Sequence, residues 1–321
     1  MEGRLLGLVD AGQVPVPRLT VPADGGSSST ASRWAAVIVN FEAGELLRDC
    51  VGSVLADDSA GPVELVVVDN GSGDASVRVM SEAYPAVTVI AAPGNVGYAR
   101  GANLGIAATR APIVAVLNAD TRLEPGAAAA LVARLESQPR VGACGPRLKN
   151  TDGTDYPSAR ADPSLPIAVG HSLFGTWWPS NPFTKRYRQV DADPSRPRVV
   201  DWVSGAGVWL RRRALDTVGG WDERYFMYLE DVDLCHRLRR AGWEIVYEPG
   251  GVVWHVQGAS TRRRPVRMLV EHHRSAWRFA RVRLTGPRSL LLPFVALYLA
   301  VRAVASIAAR SWRSEHREGR A

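Results

Sequence analysis

The 321-residue chain predicts an α/β fold: a mostly parallel sheet with helices on both faces, followed by a C-terminal helical, membrane-associated segment. Three observations carry this expectation. From Trp34 to Cys144 short apolar runs alternate with stretches of helical periodicity, the order that builds parallel sheets through crossover helices. Val63 to Asp69 (VELVVVD) holds three consecutive valines, the pattern of a strand covered on both faces. Thr261 to Ala321 contains 14 Arg and 3 Glu, a net of +11, around an apolar run at Ser289 to Val301.

The first strand is expected at Trp34 to Asn40 (WAAVIVN), after which Leu46, Leu47, Cys50, Val51, Val54 and Leu55 recur at helical spacing. Beyond the valine strand, helices are expected near Ala75 to Ala83, Tyr98 to Thr109 and Gly126 to Glu136. Strands are expected at Val87 to Ala91, Ile113 to Leu117 and Val141 to Cys144. Lys149 to Arg198 is rich in Pro, Asp, Ser and aromatic residues with weak periodicity. It predicts long loops over the sheet, where binding residues often sit. Regular structure resumes at Asp201 to Leu210. A helix at Glu230 to Ala241 and strands at Glu244 to Tyr247 and Val252 to His255 complete a domain set at residues 34–260.

Residues 261–321 form the basic segment. Its apolar run of 13 residues ends at Arg302 and contains Pro293. A spanning helix needs about 20 apolar residues, so an in-plane or shallowly inserted amphipathic segment is expected, its arginines meeting lipid phosphates. A buried core helix is the alternative. Residues 1–33 carry no signal-peptide pattern and predict a mobile tail.

The whole chain carries +7, so the 260 residues before the basic segment, with 25 basic and 29 acidic groups, carry −4. The positive charge therefore belongs to one end and suits an anionic surface. No zinc-finger, homeodomain or RNA-recognition pattern accompanies the arginines, which favours lipid and argues against nucleic acid. Cys50, Cys144 and Cys235 are odd in number and far apart. That argues against a disulfide framework or a zinc site and fits a reducing compartment.

Five motifs carry candidate chemistry. Asp69-Asn70-Gly71-Ser72-Gly73-Asp74 follows the valine strand, and ligands of open parallel sheets bind beyond the C-terminal strand ends. A plain Asn-Gly turn with Asp74 as a helix cap accounts for it as well. Gly94 to Asn103 (GNVGYARGAN) opens a helix, whose free amides attract phosphate, with Asn95, Gly97 and Arg100 as candidates. Close packing is the other reading. Leu117-Asn118-Ala119-Asp120-Thr121 ends a strand, where an Asp can hold a divalent cation that bridges phosphates. Tyr225 to Asp233 (YFMYLEDVD) sets three carboxylates at a helix start behind an aromatic lead-in, and one of them can act as a general base. His255 lies on a strand, and its value depends on whether it faces Asp120.

In this order the five motifs resemble those of the family 2 glycosyltransferases of the GT-A (Rossmann-like) fold, from about Trp34 to Ser260. The resemblance implies a nucleotide-sugar donor bound at Asn40, Phe41 and Asp69, with its diphosphate near Asn95, Gly97, Arg100 and Asn118. It implies Mg²⁺ or Mn²⁺ held by Asp120 and, as in some members, His255. Asn118 departs from the usual Asp-x-Asp, so only Asp120 carries over from that motif as a ligand. Asp231 is implied as general base of an inverting transfer. Glu230 lies beside the acceptor, and Ser204 and Gly205 belong to the small-residue segment that admits it.

The stretches GPRLKNTDGTDYPSARADPSL, WWPSNPFTKRYRQ and VGGWDERYFMYLEDVDL are similar to those of actinobacterial rhamnosyltransferases of cell-wall linker synthesis. This implies dTDP-rhamnose as donor and an N-acetylglucosaminyl-diphospho-polyprenol as acceptor. It also implies that Tyr156 to Arg160 and Trp177 to Arg188 shape the sugar and acceptor sites, and a peripheral enzyme at the cytoplasmic face of the plasma membrane. Another nucleotide sugar or acceptor of the same family is the alternative, and a homo-oligomer is left open.

Overall fold

The computed structural model describes residues 32–175, 177–256 and 265–318. Nearly all of the expected N-terminal tail, the 260/261 boundary and Arg262 to Arg264 lie outside the described residues. The first half runs β1 (Trp34–Asn40), α1 (Glu45–Ala56), β2 (Val63–Asp69), α2 (Ser76–Ala83), β3 (Thr88–Ala91), α3 (Tyr98–Ala107), β4 (Ile113–Asn118), β5 (Thr121–Leu123), α4 (Ala127–Ser137) and β6 (Val141–Lys149). The second half runs β7 (Asp155–Tyr156), β8 (Ala159–Arg160), α5 (Leu165–Phe174), α6 (Pro182–Arg188), β9 (Arg198–Val199), β10 (Trp202–Val203), β11 (Gly207–Arg211), α7 (Arg212–Val218), α8 (Glu230–Arg240), β12 (Glu244–His255), α9 (Pro265–Arg283) and α10 (Leu292–Glu318).

The main sheet has the order β3-β2-β1-β4-β11-β6-β12-β5. β3, β2, β1 and β4 are parallel, β11 runs against both β4 and β6, and β6 is parallel to β12. The expected α/β class holds, with a parallel half joined to a mixed half through β11. Alternation along β1 and β2 sends Val37, Val39, Val66 and Val68 to one face and Ile38 and Val67 to the other. The first face packs on α3, α7 and α8, and the second on α1, α2 and α4. Apolar side chains buried on both faces are the main favourable term for such a layer.

Four elements differ from expectation. The middle region is not only loops, since α5 and α6 lie within it. Each has Pro in its first turn, where the missing N–H costs nothing; their composition hid the period. α7, a seven-residue helix led by arginines, has too few apolar positions to show one. The two strands expected near the end of the domain are one, β12, irregular between Glu248 and Val252 where Pro249-Gly250-Gly251 intervenes.

The fourth difference is at the C-terminus. Pro293 is the second residue of α10 and therefore does not interrupt it. The apolar helical stretch runs from Gly286 to Ser306, 21 residues of mean hydropathy 1.8, with none of its apolar window buried. It is not a buried core helix, and by length and composition it is long enough to cross a membrane.

Candidate active site

A cleft of about 380 Å³ opens over the C-terminal ends of the parallel strands. Register sets Asn40 beside Asp69 and Val39 beside Asn118, so three motif-bearing strand ends finish side by side. β11 starts where β4 stops, and the Asn118 N–H donates to the Ala206 carbonyl at 2.9 Å. That contact carries Ser204 and Gly205 to the cleft wall.

On the donor side, Asn40 is fully buried. Its Nδ2 lies 3.0 Å from Asp69 Oδ1, from Ser72 Oγ and from Ser76 Oγ. Asp69 Oδ2 accepts from the Ser72 N–H at 3.2 Å. Asn40 thus orients Asp69 from beneath, while Phe41 lines the cleft directly. Asp74 accepts from the Ser76 and Gly44 N–H groups at 3.1 and 3.0 Å, tying the turn before α2 to the chain entering α1, while the N-cap of α2 is Ala75.

The glycine-rich turn serves close packing as well as lining. Asn70 clamps it, accepting from the Val96 N–H and donating to the Gly97 carbonyl, both at 3.1 Å. Asn95 Oδ1 accepts from the Gly97 N–H at 3.2 Å. Gly97 has φ +91°, and a Cβ there would lie 2.6 Å from the Phe226 carbonyl oxygen. That same oxygen accepts from the Tyr98 N–H at 2.8 Å. Asn95 and Gly97 line the cleft, but Arg100 does not. Its side chain is half exposed and faces Glu223 at 3.6 Å, because two residues past the cleft-lining Tyr98 it stands on the far side of α3.

Pairing of β5 with β12 sets His255 opposite Thr121. His255 Nε2 thereby lies 3.2 Å from Asp120 Oδ1, both side chains about 11% exposed. Asn118 Nδ2 approaches the same Nε2 at 3.4 Å. Tyr156 stands edge-on to the imidazole with centroids 6.2 Å apart. Among the described residues no group of three or more His, Cys, Asp or Glu side chains gathers. One carboxylate and one imidazole suit a divalent ion whose other ligands come from phosphate and water.

The three carboxylates at the start of α8 separate into different roles. Asp233 is buried and paired with Arg237 at 2.6 Å, a structural contact. Asp231 Oδ2 accepts from the Gly205 N–H at 2.9 Å and Oδ1 from the Val232 N–H at 2.8 Å. Burial raises its pKa, while these two donors and the Arg160 guanidinium oppose the rise. Glu230 is buried, and its Oε2 has no hydrogen-bond partner among the described residues. Burial, and then the neighbouring Asp231 charge, push its pKa well above the ordinary carboxylate value. Burial thus favours the protonated form of both acids, and the two backbone donors and Arg160 offset this at Asp231.

Tyr228 and Leu229, just before α8, have φ of +69° and +63°. Two successive non-glycine residues in the left-handed region are costly and persist only where surroundings hold them. Here α9 does so: Ser275 Oγ donates to the Met227 carbonyl at 2.8 Å, and His272 packs edge-on to Tyr228 at 5.5 Å.

The middle region, with Trp202 beyond it, supplies a wall in which Tyr156, Arg160 and Tyr187 come from the stretches expected to shape the sugar and acceptor sites. The Arg160 guanidinium lies 5.0 Å from the Trp202 ring centroid, 5.3 Å from Tyr156 and 5.5 Å from Tyr187. All four line the cleft, as do Tyr98 and His272. An arginine in a sequence crowded with arginines gives no signal of being enclosed by aromatics. Of the stretch Trp177 to Arg188, Tyr187 alone lines the cleft. Trp177 and Trp178 instead lie on the surface, 70% and 46% exposed.

Comparison with known proteins agrees with this architecture. The model of the family described as "Glycosyltransferase like family 2" matches residues 32–277. The N-acetylglucosaminyl-diphospho-decaprenol L-rhamnosyltransferase of Mycobacterium tuberculosis (strain ATCC 25618 / H37Rv) is 39% identical over 261 residues, 78% of this chain and 84% of that protein. The pre-mycofactocin glycosyltransferase of the same strain is 30% identical over 60% of this chain and 37% of its own length. Among solved structures, the mannosyltransferase PcManGT from Pyrobaculum calidifontis, in complex with GDP-Man and Mn²⁺, aligns with TM-score 0.55 and 18% identity, over 91% of this chain and 79% of that one. GalNAc-T7 with UDP, GalNAc and Mn²⁺ aligns with TM-score 0.54 and 16% identity, over 77% and 48%. The likeness in structure is one of fold, and the family match covers most of the sequence: the chain belongs to glycosyltransferase-like family 2.

Proposed function

We propose that the chain transfers L-rhamnose from dTDP-rhamnose to N-acetylglucosaminyl-diphospho-polyprenol, inverting the anomeric carbon, at the cytoplasmic face of the plasma membrane. The observation that carries the sugar and acceptor is the 39% identity to the mycobacterial decaprenol rhamnosyltransferase over 84% of that protein. The geometry supports the reaction class, because Asp231 and the Asp120–His255 pair line one cleft over the strand ends.

Asp120 and His255 would hold Mg²⁺ or Mn²⁺ at the donor diphosphate. A bound ion of this kind neutralises the charge that gathers on the departing nucleoside diphosphate. Asp69 and Phe41 hold the nucleoside end. Asp231 takes the proton from the acceptor 3-hydroxyl, and that oxygen attacks the anomeric carbon from the face opposite the diphosphate. Glu230, kept neutral by burial, donates a hydrogen bond to the acceptor sugar beside it. Phe226 to Leu229, braced by α9, hold both acids at the cleft. The exposed apolar α10 supports a membrane-held enzyme, as a lipid-linked acceptor requires.

The test is transfer from dTDP-rhamnose to a short-chain N-acetylglucosaminyl-diphospho-lipid, with and without Mg²⁺ or Mn²⁺. Metal-dependent appearance of a rhamnosyl disaccharide lipid is expected. No product from this pair, with transfer from a different nucleotide sugar, would discard the rhamnosyl reading and keep the fold and acid–base assignment.

A further inference from the structure

The middle region carries a surface that the cleft does not use. Phe174, Trp177, Trp178 and Phe183 form a cluster of rings: Phe174 lies 5.5 Å from Trp177, 6.5 Å from Trp178 and 6.3 Å from Phe183. Leu173, Trp177, Trp178 and Phe183 are exposed. Contiguous exposed aromatics are uncommon on a free protein surface and mark a contact.

This patch continues into α10. Tyr298 Oη donates to Ser172 Oγ at 2.7 Å, and Arg302 donates to the Ser172 carbonyl at 3.1 Å. The next residue, Leu173, receives the Trp177 indole N–H on its carbonyl at 2.9 Å. Leu290, Phe294, Leu297, Val301 and Val304 expose the apolar side of the C-terminal stretch. Charge identifies the occupant. From Pro163 to Val190 the chain has no acidic residue but carries Lys185, Arg186 and Arg188, all exposed. From His272 to Ser314 there is again no acidic residue. Two touching segments, apolar and aromatic with only positive charge within them, match an anionic bilayer surface, where indole rings settle at headgroup level.

We infer that the Trp177–Trp178 patch, in the turn between α5 and α6, is a second membrane-docking surface, seated in the anionic headgroup layer beside α10. Two contacts fix an orientation that one helix leaves free. The link to the cleft is short: His171 of α5 packs on Tyr187 at 4.7 Å, and Tyr187 lines the cleft. Docking at the patch would thus hold the acceptor wall against the surface from which a lipid diphosphate rises. That purpose rests on the proposed acceptor; the surface itself can be tested without it.

The test places a nitroxide at position 177 through Trp177→Cys in the full chain. Cys50, Cys144 and Cys235 are buried and free, and burial raises their thiol pKa values, so they resist labelling. A label at Leu55→Cys, exposed on α1, is the control. Collision rates with oxygen and with a water-soluble nickel chelate are measured in buffer and on vesicles of phosphatidylcholine containing phosphatidylglycerol. On vesicles the oxygen-to-nickel ratio at 177 should rise by about tenfold while that at 55 stays constant. A label at 177 that remains as accessible to nickel as in buffer overturns the inference, as does a chain that fails to sediment with the vesicles. Dipolar broadening at 177 without vesicles would assign the patch to a second copy of the chain instead.

Discussion

His255 Nε2 lies 3.2 Å from Asp120 Oδ1, although the two residues are 135 positions apart in sequence. The contact exists because β12 runs the full depth of the sheet and pairs with β5 as well as β6. If the two side chains hold the divalent ion, removing either should weaken it. Asp120→Asn and His255→Ala are each expected to reduce Mn²⁺ affinity at least about tenfold, read by electron paramagnetic resonance of free Mn²⁺ in the presence of dTDP. Unchanged Mn²⁺ binding in both variants would remove the pair from the metal site.

Glu230 should make stability depend on pH. In the unfolded chain its carboxyl ionises at an ordinary pH, whereas in the fold burial holds the proton well above it. Between those values the unfolded state has lost a proton that the native state keeps, so stability falls as pH rises through the window. Glu230→Gln removes this slope. The variant is expected to melt at higher temperature than the parent near pH 8, with the gap closing below about pH 4. An equal gap at both pH values would contradict the assignment.

Arg160 favours the Asp231 anion from its aromatic enclosure. Arg160→Met should therefore move the acidic limb of the kcat/KM profile to higher pH, by up to about one unit. A profile lowered uniformly, with its limb in place, would make Arg160 a packing residue only.

Gly97 has no room for a side chain, since its φ is +91° and the Phe226 carbonyl oxygen lies 2.6 Å from where a Cβ would stand. Gly97→Ala is expected to cost roughly 2 kcal/mol in chemical denaturation, because it combines left-handed backbone with a backbone clash. A loss below about 0.5 kcal/mol would mean that the Phe226 loop yields easily.

The parallel half of the fold was legible because its strands are valine-rich and buried on both faces; β1 and β2 fall where Trp34–Asn40 and Val63–Asp69 were expected. Asp231, Glu230, Asp120 and His255 could be named from their motifs, but only the register of β5, β11 and β12 brings them to one cleft. Arg160 and Tyr187 carried no periodic signal, since they come from short elements in a stretch rich in proline and arginine. Arg100 had the right position in a motif and the wrong side of its helix. Trp177 and Trp178 matched a distinctive stretch, yet that stretch is a surface, which aromatic content cannot distinguish from a pocket.

In the proposed rhamnosyl transfer Asp231 removes the acceptor proton. The most direct test is the single-turnover rate of Asp231→Asn beside the parent, with dTDP-rhamnose, the short-chain lipid acceptor and Mn²⁺. General-base assistance is worth about 10²–10⁴ in rate, so the variant should be slower by at least about 10² while binding the donor as tightly as the parent. A variant that turns over at a near-parental rate would contradict the assignment of Asp231 and the mechanism built on it.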